Sequence, residues 1–351
     1  MKIITKVSGC LFFGIIVVYF LVVYARRKEA TNNGFNRTIF KTIHDSPSIT
    51  NLQVSSYYII GLSEKVIYLG NHARSQQVLV LPYNGNKVDT SWLNIPDSTL
   101  FGWGAARIHK QGNIFYLAEG VTPNIISFPK LDTEGVLLQP GFNHFDIIIP
   151  LDSFFIFRMY DTSLRKNILA RAQYGQQGTS NPALLQNQLD GVFSTDGMLL
   201  FDSATKRFIY VYYYRNELIA FDKELGNVIH GKTIDTVSVA QITMQTVKSE
   251  NSIKFSSPPL KVNKYACTYN GLLFIYSGLR ADNERGKIAF TSSPIDVYRI
   301  NNLKYMGSFY IPKYEGRGIR DMAILNNRLV ILKGNEIAVF NLHLKLLFNI
   351  D

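Results

Sequence analysis

Seven residues of this sequence carry side chains able to do chemistry at positions that a repeated fold could bring together: Arg107, His144, Asp146, Asp196, Lys264, Arg320 and Asp321. His144 and Asp146 stand two apart, the spacing that puts both on one face of a strand, and an imidazole beside a carboxylate is the simplest general-base pairing. Shared facing does not assure contact. Arg320-Asp321 also reads as an ordinary adjacent charge pair, and Asp196-Gly197 as a turn. Brought to one place, these arginine, lysine, histidine and aspartate side chains would suit a polar or anionic ligand, a peptide carboxylate or an ion.

The motifs of several enzyme classes are missing. There is no Gly-x-Ser-x-Gly elbow, no Gly-x-x-x-x-Gly-Lys phosphate loop and no His-Glu-x-x-His helix. The six histidines are isolated in sequence, and Cys10 lies in an apolar N-terminal run far from Cys267, so neither a zinc cluster nor an internal disulfide is expected. No metal and no particular cofactor is indicated. Tyr210, Tyr212, Tyr213 and Tyr214 form the densest aromatic cluster; sheet packing explains it more simply than a stacking site does.

The elements that would position the seven residues recur along the chain. Six apolar tetrads stand out, beginning at Val66, Ile114, Phe154, Phe208, Leu273 and Leu329, with starts 48, 40, 54, 65 and 56 residues apart. Uninterrupted β-branched and aromatic runs of this length are strands covered on both faces. Upstream of each, a second strand ends in a turn, most plainly at Asn270-Gly271 and Asn326-Asn327. Downstream, a third strand follows at 78–81, 125–128, 218–221, 295–298 and 337–340, with a poorer one at 164–169. Fourth strands fit at 136–138, 228–229, 306–311 and 344–348.

Six four-stranded antiparallel units predict an all-β fold, a six-bladed β-propeller over residues 51–351, since radial closure leaves few exposed edges. A pair of β-sandwiches is the rival and explains six similar tetrads less economically. Closing the ring needs a strand from 36–54. The segments 172–195, 236–259 and 278–293 exceed what a blade needs. Superposing the repeats places all seven candidate residues, with Trp103 and Tyr265, near the starts of the innermost strands, where blades converge on a channel.

With 351 residues, 46% of them apolar and 18% charged, the chain can bury a large core and is not a disordered polyelectrolyte. Its +11 charge is concentrated at the N-terminus, where residues 1–28 hold Lys2, Lys6, Arg26, Arg27, Lys28 and no acid. The remainder is too weakly basic, without basic runs interleaved with aromatics, to suggest nucleic acid. Residues 7–25 form an uncharged apolar run about as long as one bilayer-spanning helix. It exceeds a typical signal-peptide core, so an uncleaved anchor is expected over a cleaved signal; the lipobox-like Val7-Ser8-Gly9-Cys10 precedes the apolar run rather than following it. The expected organisation is thus an anchor over 1–28, a polar linker over 29–50 and a propeller over 51–351. Such a single-pass protein would hold its domain outside the cytoplasm, in a periplasm, where an envelope protein or a small polar ligand would be its partner.

The repeat over residues 55–351 resembles the TolB-like and NHL-like six-bladed propellers, and its membrane-anchored form resembles uncharacterised Bacteroidetes propeller proteins. WD40 signatures are absent, since neither Trp92 nor Trp103 is followed by aspartate, and so are kelch double glycines. The gluconolactonase-like relatives use an early Glu-Gly-Pro for calcium. Here Glu119-Gly120-Val121 falls after a second strand, so that activity does not carry over. Three functions stay open: a non-catalytic ligand- or protein-binding module, a hydrolase or lyase-like enzyme with a metal or polar site at the channel mouth, and an envelope scaffold.

Overall fold

The structure is a computed structural model that describes residues 12–20, 33–40, 43–85, 87–96, 101–138, 141–142, 144–247, 252–286, 288–313 and 315–344. Strand β1 (Ser48–Asn51) precedes the first blade, which is formed by β2 (Tyr57–Leu62), β3 (Val66–Asn71), β4 (Gln77–Pro82) and β5 (Asp89–Trp92). The second blade is β6 (Arg107–Gln111), β7 (Ile114–Glu119), β8 (Asn124–Phe128) and β9 (Val136–Leu138). The third is β10 (Ile147–Pro150), β11 (Phe154–Asp161), β12 (Lys166–Gln173) and β13 (Thr179–Asn181). In the fourth, β14 (Gly197–Asp202), β15 (Arg207–Tyr212), β16 (Glu217–Phe221) and β17 (Ile229–Lys232) pair in order. A hairpin of β18 (Met244–Val247) and β19 (Ser252–Phe255) stands between that blade and the fifth.

The fifth blade is β20 (Asn263–Tyr269), β21 (Leu272–Ser277), β22 (Ser292–Arg299) and β23 (Lys304–Pro312). The sixth takes β24 (Asp321–Leu325), β25 (Arg328–Lys333) and β26 (Glu336–Asn341) from the end of the chain and β1 from its start. Innermost strands β2, β6, β10, β14, β20 and β24 each touch the next, and β24 touches β2, so the ring is closed. The six-bladed propeller expected from the repeat is the fold found.

The second strands are apolar throughout because each side chain in turn enters a different inter-blade core. Phe155 and Phe157 pack toward the second blade, and Ile156 between them packs toward the fourth. Leu329 and Ile331 face the fifth blade while Val330 and Leu332 face the first. The turns follow local chemistry: Asn270 and Gly271, like Asn326 and Asn327, both adopt positive φ, as a two-residue hairpin connection needs.

The structure departs from the sequence reading in several places. Residues 33–40 and 43–50, read as part of a linker, lie against the fifth and sixth blades: Phe35, Arg37 and Ile43 are buried, and Ile39 bridges Ser308. The outer strand of the sixth blade is β1, paired with β26, rather than 344–348, of which residues 345–348 lie outside the described residues. The long segment 172–195 supplies β13, and 236–259 supplies both strands of the separate hairpin. Of the expected anchor over 7–25, residues 12–20 are described; they are helical and mostly exposed. Among the described residues no helix is long and apolar enough to cross a membrane.

Candidate functional site

The innermost strands all begin on one end of the ring, and the candidate residues gather there by position in the repeat. Arg107 opens β6, Asp146 and Asp196 immediately precede β10 and β14, Lys264 is second in β20, and Arg320 leads into Asp321 at the start of β24. Second strands run the opposite way, so their last residues and the following loops reach the same end.

One half of this mouth is tied up internally, one guanidinium being shared by two carboxylates. Arg158, in the middle of β11, is buried, and its guanidinium joins two blades: Nε donates to both oxygens of Asp146 at 3.0 Å, Nη2 also reaches Asp146, and Nη1 donates to Asp196 at 2.8 Å and to the Tyr210 hydroxyl at 2.6 Å. Tyr210 passes its own proton to the Thr195 carbonyl at 2.7 Å. Burial opposes the charge on Arg158, but Tyr210, Asp146 and Asp196 outweigh it and hold the guanidinium above its ordinary pKa. Charge-assisted bonds of this kind are the strong ones.

The His144–Asp146 pair does not form. His144 Nε2 donates to the Tyr160 carbonyl at 2.9 Å, while Asp146 is engaged by Arg158. The general-base arrangement that the spacing allows is therefore not assembled. The tyrosine cluster is likewise structural, with Tyr210 and Tyr212 buried in the core between the third and fourth blades.

The other half is basic. Arg320 Nη1 donates to the Tyr57 carbonyl at 2.6 Å and Nη2 to Gly334 at 3.2 Å, while its Nε is buried with no partner. Arg107 Nη1 donates to the carbonyls of Ala106 at 2.8 Å and Gly104 at 3.3 Å. Lys264 lies over the Tyr276 ring, 5.2 Å from its centroid, and Lys261 over Tyr213 at 3.7 Å. Carbonyls and ring faces orient these cations without cancelling their charge. Asp321 offsets Arg320 only through space, with no direct ion pair: Oδ2 accepts the amide of Ile59 and Oδ1 that of Met322, both at 2.8 Å. Burial pushes its carboxyl up to about 6 against the pull of those amides and of Arg320.

Arg158, His72 and Tyr58 belong to this end and were not singled out from sequence. His72 stacks on Tyr58 with centroids 4.5 Å apart, and burial together with Arg107 and Arg320 lowers its pKa. Tyr58 crosses Gly70 on the paired strand so closely that a Cβ there would meet the ring at 2.4 Å, which explains the glycine. The Tyr58 hydroxyl accepts the Ile108 amide at 2.7 Å and ties the first blade to the second. Arg158 lies in the middle of β11 and His72 just after β3, away from strand starts, while Tyr58 is second in β2, where an aromatic residue reads as core packing. Glu119 is buried and caps its own turn, accepting the amides of Val121 at 2.7 Å and Thr122 at 2.8 Å. Among the described residues no group of three or more His, Cys, Asp or Glu could hold a metal ion.

No family profile and no curated protein matches the sequence. Among solved structures, a DUF4221 family member from Bacteroides vulgatus aligns at 11% identity over 89% of this chain and 98% of its own, with a TM-score of 0.48. A streptogramin B lyase aligns at 10% identity over 85% and 98%, with a TM-score of 0.46. A catalytically inactive virginiamycin B lyase from Staphylococcus aureus, solved with quinupristin, aligns at 10% identity over 84% and 99%, with a TM-score of 0.47. At these scores the likenesses carry no argument about what this chain binds or does.

Proposed function

We propose that this chain is a non-catalytic binding propeller, held outside the cytoplasm by an N-terminal anchor over residues 7–25, whose channel mouth receives an anionic or polar ligand or a partner's carboxylate. The observation that carries the reading is the uneven pairing of charges at the mouth. Asp146 and Asp196 are taken by Arg158 and the Asp321 oxygens by backbone amides, while Arg107 and Arg320 hydrogen-bond to carbonyls and Lys264 rests on a ring, Asp321 acting on Arg320 through space. Cations oriented in this way attract an anion with little reorganisation. The unjoined His144 and Asp146 offer no base for the enzyme alternative, a hydrolase or lyase with a metal at the mouth. The apolar run itself supports the anchor: its length suits a bilayer, and basic residues flank both ends.

The test uses the full chain in mild detergent. Native mass spectrometry identifies a retained small molecule, and capture from an envelope extract identifies a protein partner. The triple variant Arg107→Ala, Lys264→Ala, Arg320→Ala should keep the wild-type unfolding midpoint within a few degrees and lose that capture. Capture unchanged in a folded triple variant would remove the mouth from the binding reading. A stoichiometric metal, whose chelation abolishes a measured turnover, would favour the enzyme.

A further inference from the structure

The fifth blade carries an extra loop between β21 and β22, residues 278–291, which ends in the single helical turn Ile288–Thr291. Beneath it lies a cavity of about 70 Å³, lined among others by Lys264, Tyr276, Arg280, Glu284, Tyr310 and Lys313. Three of these six are cations. The one acid has its hydrogen-bonding positions filled by other groups, though it shares the Arg37 guanidinium with Asp296: Glu284 Oε1 accepts from Arg37 at 2.7 Å and from the Tyr310 hydroxyl at 2.8 Å, and Oε2 accepts the Ala281 amide at 3.1 Å.

Among the described residues none of the three cations has a carboxylate partner. Lys264 and Arg280 rest over the rings of Tyr276 and Phe290, at 5.2 and 4.6 Å, and all three are half-buried. Gathering like charges around a half-enclosed space is unfavourable unless something negative enters it. The space is on the scale of a few waters, which suits one small ion. A planar guanidinium and two point-like ammonium groups complement an anion that presents several oxygens. Gly278 lets the loop approach: a Cβ there would strike the Lys261 carbonyl at 1.9 Å and crowd the Lys264 stem at 3.2 Å.

We propose that this cavity binds a tetrahedral oxyanion, phosphate or sulfate, free or as the end of an ester. The ester source has room. A cleft of about 640 Å³, lined by Thr236, Ser238, Gln241 and Leu260 among others, shares Gly278, Leu279 and Arg280 with the cavity. The proposal shares Lys264 with the channel-mouth reading but turns on Arg280 and Lys313, which that reading does not use.

The experiment is titration calorimetry and thermal unfolding of the full chain with inorganic phosphate, sulfate and glucose 6-phosphate, against chloride at matched ionic strength. Phosphate or sulfate should bind and raise the midpoint where chloride does not. Arg280→Gln with Lys313→Gln should weaken that binding at least tenfold, and Arg107→Ala with Arg320→Ala should leave it within twofold. Equal effects of chloride, or oxyanion binding that survives in the Gln pair, would overturn the proposal. Loss in the Arg107/Arg320 pair alone would move the anion to the mouth and likewise overturn it. Glucose 6-phosphate binding more tightly than inorganic phosphate assigns an ester, and weaker binding assigns the free ion. If the Gln pair fails to fold, Arg280→Lys and Lys313→Gln made singly must each weaken binding.

Discussion

Asp321 Oδ2 accepts the amide of Ile59 at 2.8 Å across the junction where the sixth blade meets the first, so a half-buried aspartate staples the place at which the ring closes. Burial lifts its pKa to about 6 while Ile59, Met322 and Arg320 pull it down; Tyr58, Tyr265 and Cys267 are the other titratable groups coupled to it. In the unfolded chain a carboxyl of this kind titrates near 3.8. Between those values the native state holds a proton that the unfolded state has lost. The contribution of Asp321 is therefore complete below about pH 4 and is lost as pH rises through about 6.

His109 acts in the opposite sense. Burial and Arg107 push its imidazole down to about 4 from 6.5, so acidification through that window protonates the unfolded chain first and lowers stability. Subtracting parent from variant isolates each group. In urea unfolding from pH 4 to 7, the stability of Asp321→Asn relative to the parent should rise with pH, and that of His109→Gln should fall. A flat difference curve for either would contradict its burial.

Arg158 should be worth more than its share of the surface. Arg158→Ala leaves Asp146 and Asp196 facing each other without the cation, and leaves the Tyr210 hydroxyl without one donor. Both carboxylates reach solvent, with side chains 49% and 31% exposed, so water softens the loss. The expected cost is about 1.5 to 3 kcal/mol by denaturant titration, the range for charged hydrogen bonds. Arg158→Lys should recover part of it, because one ammonium cannot reproduce a guanidinium serving two blades.

Arg37 is the harsher case. Its side chain is fully buried between Glu284 at 2.7 Å and Asp296, whose two oxygens accept from Nε at 2.7 Å and Nη2 at 3.0 Å. Arg37→Ala strands two buried carboxylates and should cost about 3 to 5 kcal/mol. The loss should be local at first. Hydrogen exchange should speed at residues 33–40 and at 279–284 before the other blades respond.

The propeller was readable because its second strands are buried on both faces, which writes each as an unbroken apolar tetrad. Where burial is distributed differently, the pattern fades. Strand β12 begins at Lys166 and carries the small Ala170 and Ala172 against Phe157 and Phe155, so its apolar signal is weak although both alanines are buried. Residues 33–50 read as a linker because three anchors, Phe35, Arg37 and Ile43, are set singly among polar neighbours. At the channel mouth, strand starts could be found by superposing repeats. Of the partners that set their chemistry, Arg158 arrives from the middle of β11 and His72 from just after β3, and Tyr58, though second in β2, acts across a blade junction on Ile108.

Ile331 tests that two-faced burial directly. It is fully buried in the core shared by the fifth and sixth blades, while its neighbours Val330 and Leu332 enter the core shared with the first. Ile331→Val removes one methylene and should cost about 1 kcal/mol. Ile331→Asp places a carboxylate where no cation reaches it, a penalty of several kcal/mol that competes with the whole stability of a domain. The Asp variant should aggregate or lose cooperative unfolding, with exchange protection failing first on β20–β26. A soluble, fully cooperative Ile331→Asp protein would mean that this side chain does not face the fifth blade. The register of β25, and with it the placement of Asp321 at the mouth, would then have to shift by one residue.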